Sequence, residues 1–580
     1  MIALALAGAC GEGRDGAGQD SAGTSGAGEA SGGADDTADG GGEDGQGEEL
    51  DDSVELLSPT DRLVRIAMAL KGTRPSLEEL AAVAQDPDVI ESLVDEYLES
   101  PEFGETIRDL ENQTLLMRLE LPPNGELPAD VDPIHWVEYT RMYYEEPLVL
   151  IADVVMNDQP YTEIVTSDTT MSTHLGPRFW AGIEDGFDPD GPEWQRLGYT
   201  DGRPAVGIIS SGAFIKRYAS SNRNAHREAA AAVAETLLCT SYSDRDIPLG
   251  SVDLTENDAV EEAILTNPTC VTCHQTLDPL GGFFDGFPRQ TGFGLFPSVA
   301  WEPEEVGSNR NKTGRDNGYY GLGGETLDDL GELIANDHRF SACTARRYIS
   351  YFSQVRRESI PIADIAATQR VLTESGMNIK EMVRAIVLAD RFAVSHSTDE
   401  EVAEGVIGYL QTRPEQLQRM IEDLTGFSWR ATAGNPNEGI VSIIDLPTNA
   451  NFGFKVHGGS LDNETKVLPV HQYSAHASVF LRGLAAEAAG AVTARDFAQA
   501  ADQRALLRYV EADTTDEAAI REQLAFLHLR ILAEDVEPDS ETIDETYALF
   551  TALHSTTDDV PTTWKLVLGA LFQDFRVAYH

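Results

Sequence analysis

Apolar residues recur every three to four positions through the first hydrophobic stretch of the chain, and that spacing predicts helices. Leu63, Ile66, Ala67 and Leu70 form one stripe behind the capping run Ser58-Pro59-Thr60-Asp61, since positions i, i+3 and i+4 share a helix face. Ser76-Leu77-Glu78-Glu79 opens a second helix and residues 89–98 a third, with Gly72 and Pro75 as breaks. The pattern predicts further helices over 107–119 and 136–156. Residues 158–301 are less regular, with turns such as Asp188-Pro189-Asp190-Gly191-Pro192 around one clear helix at 226–238. After an irregular stretch at 302–324, helices return at 327–336, 344–354, 364–372 and 379–390. Residues 401–580 begin and end helical. Between them 439–470 alternates apolar and polar residues, as in Ile440-Val441-Ser442-Ile443-Ile444, which predicts a small β-hairpin or an irregular insert.

The fold class expected is therefore mainly α: several helical modules around a loop-rich segment, with a small β element near 440–470. The expected divisions are 1–10, 11–55, 56–157, 158–300, 301–400 and 401–580. Three stretches echo one another, at 93–103, 382–392 and 566–575; each is an apolar helix closing on an acidic residue and a Phe.

Composition narrows the function classes. The 580 residues are 41% hydrophobic, enough for more than one core. Against 42 Lys and Arg stand 98 Asp and Glu, a formal charge of −56. A phosphate backbone would be repelled, so nucleic acid is excluded as a partner. A heavily solvated surface or a basic-faced partner fits this charge better.

Part of that charge lies in residues 11–52, which are nearly all Gly, Ala, Ser, Asp and Glu with Arg14 the only cation. So little apolar surface cannot offset ordering entropy, and a disordered acidic tether is expected over 11–55. Before it, Ile2 to Ala9 are small or apolar and end at Cys10, like the tail of a signal peptide. Leu6-Ala7-Gly8-Ala9-Cys10 resembles a bacterial lipobox with Cys10 as the lipidated residue, although Ala7 stands where Leu is usual and no Lys or Arg precedes the run. No later stretch approaches the ~18–20 apolar residues of a membrane helix. Membrane attachment is thus expected through the lipid alone, placing the chain in the periplasm or at the cell surface, anchored to the outer membrane.

Cys270-Val271-Thr272-Cys273-His274 carries the chemistry. Its spacing is that of a c-type haem attachment site, in which two thiols bond the haem vinyl groups and the following histidine ligates the iron. A structural zinc site needs four ligands, and no second CxxC or HxxxH cluster completes one here. A thioredoxin-like pair would want a βαβ context, whereas Asn267-Pro268-Thr269 precedes the motif and Asp278-Pro279-Leu280-Gly281-Gly282 follows it. One covalent haem c on Cys270 and Cys273, with His274 as proximal ligand, is expected. With Cys10 assigned to lipid, Cys239 and Cys343 remain of the 5 Cys, either as two buried thiols or, as expected here, a disulfide. Closing so long a loop would stabilise the fold by about 4 kcal/mol. There is no GxSxG elbow, phosphate-binding GxxxxGK[ST] loop or HExxH helix. His471 and His476, near Tyr473, read as structural.

In order along the chain, these pieces resemble the large exported cytochrome-like proteins of planctomycetes and myxobacteria, in which a CxxCH segment is flanked by helical domains. The N-terminal match is Asp61-Arg62-Leu63-Val64-Arg65 with Arg74 to Leu80 and Ser100-Pro101-Glu102-Phe103. Gly207 to Phe214, His226-Arg227 and Leu237-Leu238-Cys239 match the segment before the motif. The central signature is Cys270 to His274 with Asp278-Pro279-Leu280-Gly281 and Phe284-Asp285-Gly286-Phe287, followed by Cys343 to Tyr348 and Ile386 to Phe392. Residues from 401 onward match more loosely, best at 423–427 and 564–575. The resemblance implies an exported c-type cytochrome and supplies no settled reaction.

The ligand opposite His274 decides between readings. A Met or His there makes an electron carrier serving a redox partner protein. An open position makes a haem enzyme, a peroxidase or oxidase component. Without haem, the chain would be a surface interaction lipoprotein with Cys270 and Cys273 disulfide-bonded. His226 is the first distal candidate and Met171 the second, with Met377, Met382 and His338 behind them. Asp278, or the backbone around Pro279, is the candidate acceptor for the proximal imidazole's second N–H. Phe283, Phe284 and Phe287 are candidate porphyrin walls or a plain hydrophobic anchor, and Arg289 a candidate propionate partner.

Overall fold

The computed structural model describes residues 51–580 apart from 119–135, 181, 220–223, 243–256, 289–298, 400, 401, 403–406, 436–439, 450, 451, 454, 455 and 457–472. Cys10, Arg289, His471 and the tether up to residue 50 lie outside the described residues.

The fold is mainly helical with a small β element. The N-terminal helices form as their capping signals direct. Ser58 Oγ accepts the Asp61 N–H at 3.1 Å, with Pro59 as first residue of the helix Pro59–Leu70. Ser76 and Glu79 exchange a reciprocal capping pair at the start of Leu77–Gln85. The stripe Leu63, Ile66, Ala67 and Leu70 is wholly buried. After Val89–Leu98 comes Pro101–Leu115 rather than 107–119. It starts early because Ser100 caps it and Pro101 suits its first turn, and it stops where Leu116 turns left-handed at φ 48°.

Among the described residues the sheets are all two-stranded and antiparallel. Val54–Leu56 pairs with Val394–Ser397, so residues 54 and 55, within the expected tether, lie in a strand. The expected hairpin is Arg430–Asn435 paired with Ile440–Asp445. Its first arm precedes the alternating stretch, because Arg-Ala-Thr-Ala-Gly-Asn carries too few large apolar residues to signal a strand.

The expected divisions at 157, 300 and 400 do not separate cores. The Arg65 guanidinium donates to the carbonyls of Phe392, Val394 and Gly408 at 2.7–2.9 Å. Gln416 donates to Met68 O at 2.8 Å, Arg347 pairs with Glu111, and Leu410 and His580 exchange backbone hydrogen bonds at 2.9 Å. One hydrophobic cluster accordingly runs from Leu63 to Ala578. Two of the three echoing helices, Val89–Leu98 and Ile379–Leu388, pack together, with Arg384 bridging to Asp95 at 2.7 Å. The third, Val560–Leu571, packs instead on Ala475–Phe497.

Candidate haem-attachment site

The cysteine–histidine motif lies on a helix, Pro268–Gly282, and not in a loop. Proline and glycine suggested turns here, but Pro268 occupies the first helical position, where no N–H is needed. Asn267 Oδ1 accepts the Thr269 N–H at 3.0 Å and closes the helix start. Helical spacing then does the chemical work. Cys270, Cys273 and His274 stand at i, i+3 and i+4, so both thiols and the imidazole crowd one side of the helix. Leu277 and Leu280 anchor the helix to the core. Cys270 is partly exposed, Cys273 is buried, and both are free thiols.

One further turn along, at i+4 from His274, Asp278 receives the imidazole. His274 Nδ1 lies 2.9 Å from Asp278 Oδ1; the His274 side chain is 22% exposed and that of Asp278 is 0%. Asp278 Oδ1 also accepts from Arg227 Nε at 2.6 Å, and Oδ2 from Arg315 Nη1 at 2.8 Å. The Asp278 backbone carbonyl accepts from Asn309 Nδ2 at 2.7 Å. Burial pushes the Asp278 carboxyl up. The hydrogen bonds from His274 and Arg227, and the positive charge of Arg227, outweigh burial and hold it below its ordinary range. Asp278 is thus an ionised acceptor that orients the ring by Nδ1 and leaves Nε2 for a ligand.

Tertiary packing delivers the arginines. Arg227 opens the helix Arg227–Leu238 directly after two left-handed non-glycine residues, Ala225 (φ 47°) and His226 (φ 56°). That strained entry lies against Gly281 of the motif helix, where a Cβ would meet Ala225 O at 2.6 Å. Only glycine permits so close an approach. At its far end the same helix is tied by the Cys239–Cys343 disulfide to the helix His338–Ser353.

The other candidates fall in different places. His226 is buried, its backbone beside Gly281, roughly two turns along the motif helix from His274. Met171 lies in the core on the strand paired with Gln195–Leu197, and Met382 in the core on Ile379–Leu388. Met377 is a left-handed residue whose carbonyl accepts from Tyr161 N, and the His338 side chain is 88% exposed. Phe283, Phe284 and Phe287 are buried core anchors, Phe287 meeting Trp301 edge-on at 4.9 Å. Sequence reading gave no role to Arg227, Arg315 or Asn309. The signal for the first two is chemical: a buried carboxylate one helical turn from a histidine needs cations to remain ionised.

Among the described residues no three or more His, Cys, Asp or Glu side chains form a metal-holding group. The donor set fits a haem that brings its own four nitrogens: two neighbouring thiols and one oriented imidazole. No protein-family model, curated protein or solved structure matches the chain.

Proposed function

We propose that this is an exported, lipid-anchored monohaem c-type cytochrome-like protein that passes single electrons to and from a redox partner protein. The observation that carries the reading is the oriented His274, with Nδ1 held by Asp278 beside two free thiols on the same side of one helix. The resemblance of the central signature to planctomycete and myxobacterial cytochrome-like proteins supports it, as does the lipobox-like run ending at Cys10. Haem c, when bound, supplies a one-electron iron couple. The residues divide the remaining work. Cys270 and Cys273 would hold the haem as thioethers, each S–H adding across a vinyl group, His274 would offer Nε2, and Asp278 would keep the Nδ1 proton in place. The acidic surface selects a partner with a basic face.

The test is expression of the full chain behind a host signal in cells with c-haem maturation machinery, followed by a denaturing gel stained for haem. Colour at the protein's own mass is expected, and Cys270→Ala with Cys273→Ala should abolish it. An uncoloured band beside a coloured control cytochrome would overturn the proposal and favour the disulfide-bonded surface lipoprotein. A visible spectrum of the holoprotein then separates carrier from enzyme. Six-coordinate low-spin iron marks a carrier, and five-coordinate iron marks an open site.

A further inference from the structure

We infer that Asp278, Arg227 and Arg315 are opposed positioning residues that set the reduction potential of the iron bound at His274, the carboxylate lowering it and the two guanidinium groups raising it. This rests on the haem reading above and adds to it a mechanism of control by a second shell of charge.

The geometry is that of a three-way node. One carboxylate accepts the ligand's Nδ1–H and Arg227 Nε on the same oxygen, and Arg315 Nη1 on the other. Hydrogen bonding of an imidazole to a carboxylate makes the imidazole a stronger donor to a metal. A stronger donor and a nearby negative charge both favour the ferric state. Each arginine acts against this in two ways: it draws the carboxylate's charge away from His274, and it adds a positive charge of its own near the iron. Asp278 is fully buried and the arginine side chains are only 14% and 18% exposed, so water screens the node weakly.

Construction of the node matches this use. Its members come from three places in the chain, Arg227 lying 51 and Arg315 37 residues from Asp278. Gly281 and the strained Ala225-His226 entry bring Arg227 in, and Asn309 ties down the Asp278 backbone. A single carboxylate would suffice to orient the ring. Two arginines on that carboxylate moderate its pull without removing it.

The test is the midpoint potential of full-length holoprotein, measured by spectroscopic redox titration of wild type, Asp278→Asn, Arg315→Gln and Arg227→Gln. The isosteric amide of Asp278→Asn should shift the ferric/ferrous equilibrium about tenfold toward ferrous, a rise of about 59 mV for a one-electron couple. Arg315→Gln and Arg227→Gln should move it the opposite way. Unmoved potentials, or shifts of one sign in all three variants with haem attached, overturn the inference. If Asp278→Asn yields no holoprotein, the arginine variants decide alone: lowered potentials support the inference, unchanged or raised ones overturn it. Wild type without haem overturns the haem reading itself, whereas wild type with haem and unresponsive variants overturns only the role of the node.

Discussion

Two clusters of buried carboxylates and arginines, one at Asp109 and Glu145 and one at Asp278, are built differently. In the first, Arg118 pairs with Asp109 at 2.6 Å and Glu145 at 2.5 Å, Arg419 with Asp109 at 2.7 Å, and Arg108 with Glu145 at 2.7 Å. Burial pushes the Glu145 carboxyl up, but the charges of Arg118 and Arg108 outweigh it and hold it far below its ordinary value. Each of these acids is answered by two arginines, and Glu415 approaches Arg118 at 3.8 Å. In the second, Asp278 also has two arginines but spends part of its accepting capacity on His274, whose Nε2 stays available beside two thiols. Burial of charge is common to both. What distinguishes the second, the candidate site, is a partly exposed imidazole steered from behind by the buried charge.

Removing the Cys239–Cys343 bridge should separate the two clusters most. With a sequence separation of 104, loop entropy predicts a loss of about 4–5 kcal/mol for Cys239→Ser with Cys343→Ser. Denaturant unfolding measures the loss. Hydrogen exchange should then rise in Arg227–Leu238 and Pro268–Gly282 and stay low around Asp109, and uniform loosening would show that the bridge does not serve the His274 site in particular. Next in size, Arg118→Met leaves Asp109 and Glu145 with one arginine each and should cost about 3–5 kcal/mol in the same assay. Arg315→Gln should cost less, because its guanidinium is partly exposed and Arg227 still pairs with Asp278.

Glu146 sharpens the comparison, since burial outweighs the charge of the nearby Arg203 at its carboxyl. Its hydrogen bonds come from Thr170, from the Ala213 N–H and, at 3.5 Å, from Tyr199. Burial outweighs those bonds and raises its carboxyl from 4.5 to about 7. A raised acid binds its proton more tightly when folded. Its contribution is therefore fully present below about pH 4.5 and is lost as pH rises through about 7. That loss amounts to roughly 3 kcal/mol, and Glu146→Gln should remove it, flattening stability against pH in unfolding curves across this window. A Glu146→Gln curve as steep as wild type would assign the slope to other groups. The smallest effect expected is from Asn267→Ala, about 1 kcal/mol for a lost helix cap, read as a small drop in the midpoint of unfolding.

Local order was the legible part of the fold. Ser58 and Ser76 announced helix starts, and the stripe from Leu63 to Leu70 announced its buried face. Pro268 did not announce a helix, because a proline marks a turn or a first helical residue equally well until its neighbours are placed. The first hairpin arm, Arg430–Asn435, lacked the alternation that makes a strand visible. His226 drew attention as a ligand, whereas Arg227 beside it is the residue that reaches Asp278.

The sequence by itself determined the relation among Cys270, Cys273, His274 and Asp278, since positions i, i+3, i+4 and i+8 of one helix are placed by backbone geometry and need no distant partner. Only the tertiary structure decided which cations face Asp278, that Cys239 and Cys343 clamp the helix bearing Arg227, and that the expected modules share one core. Those contacts join residues tens to hundreds of positions apart. They follow from which faces pack together, and no local pattern in the chain encodes that.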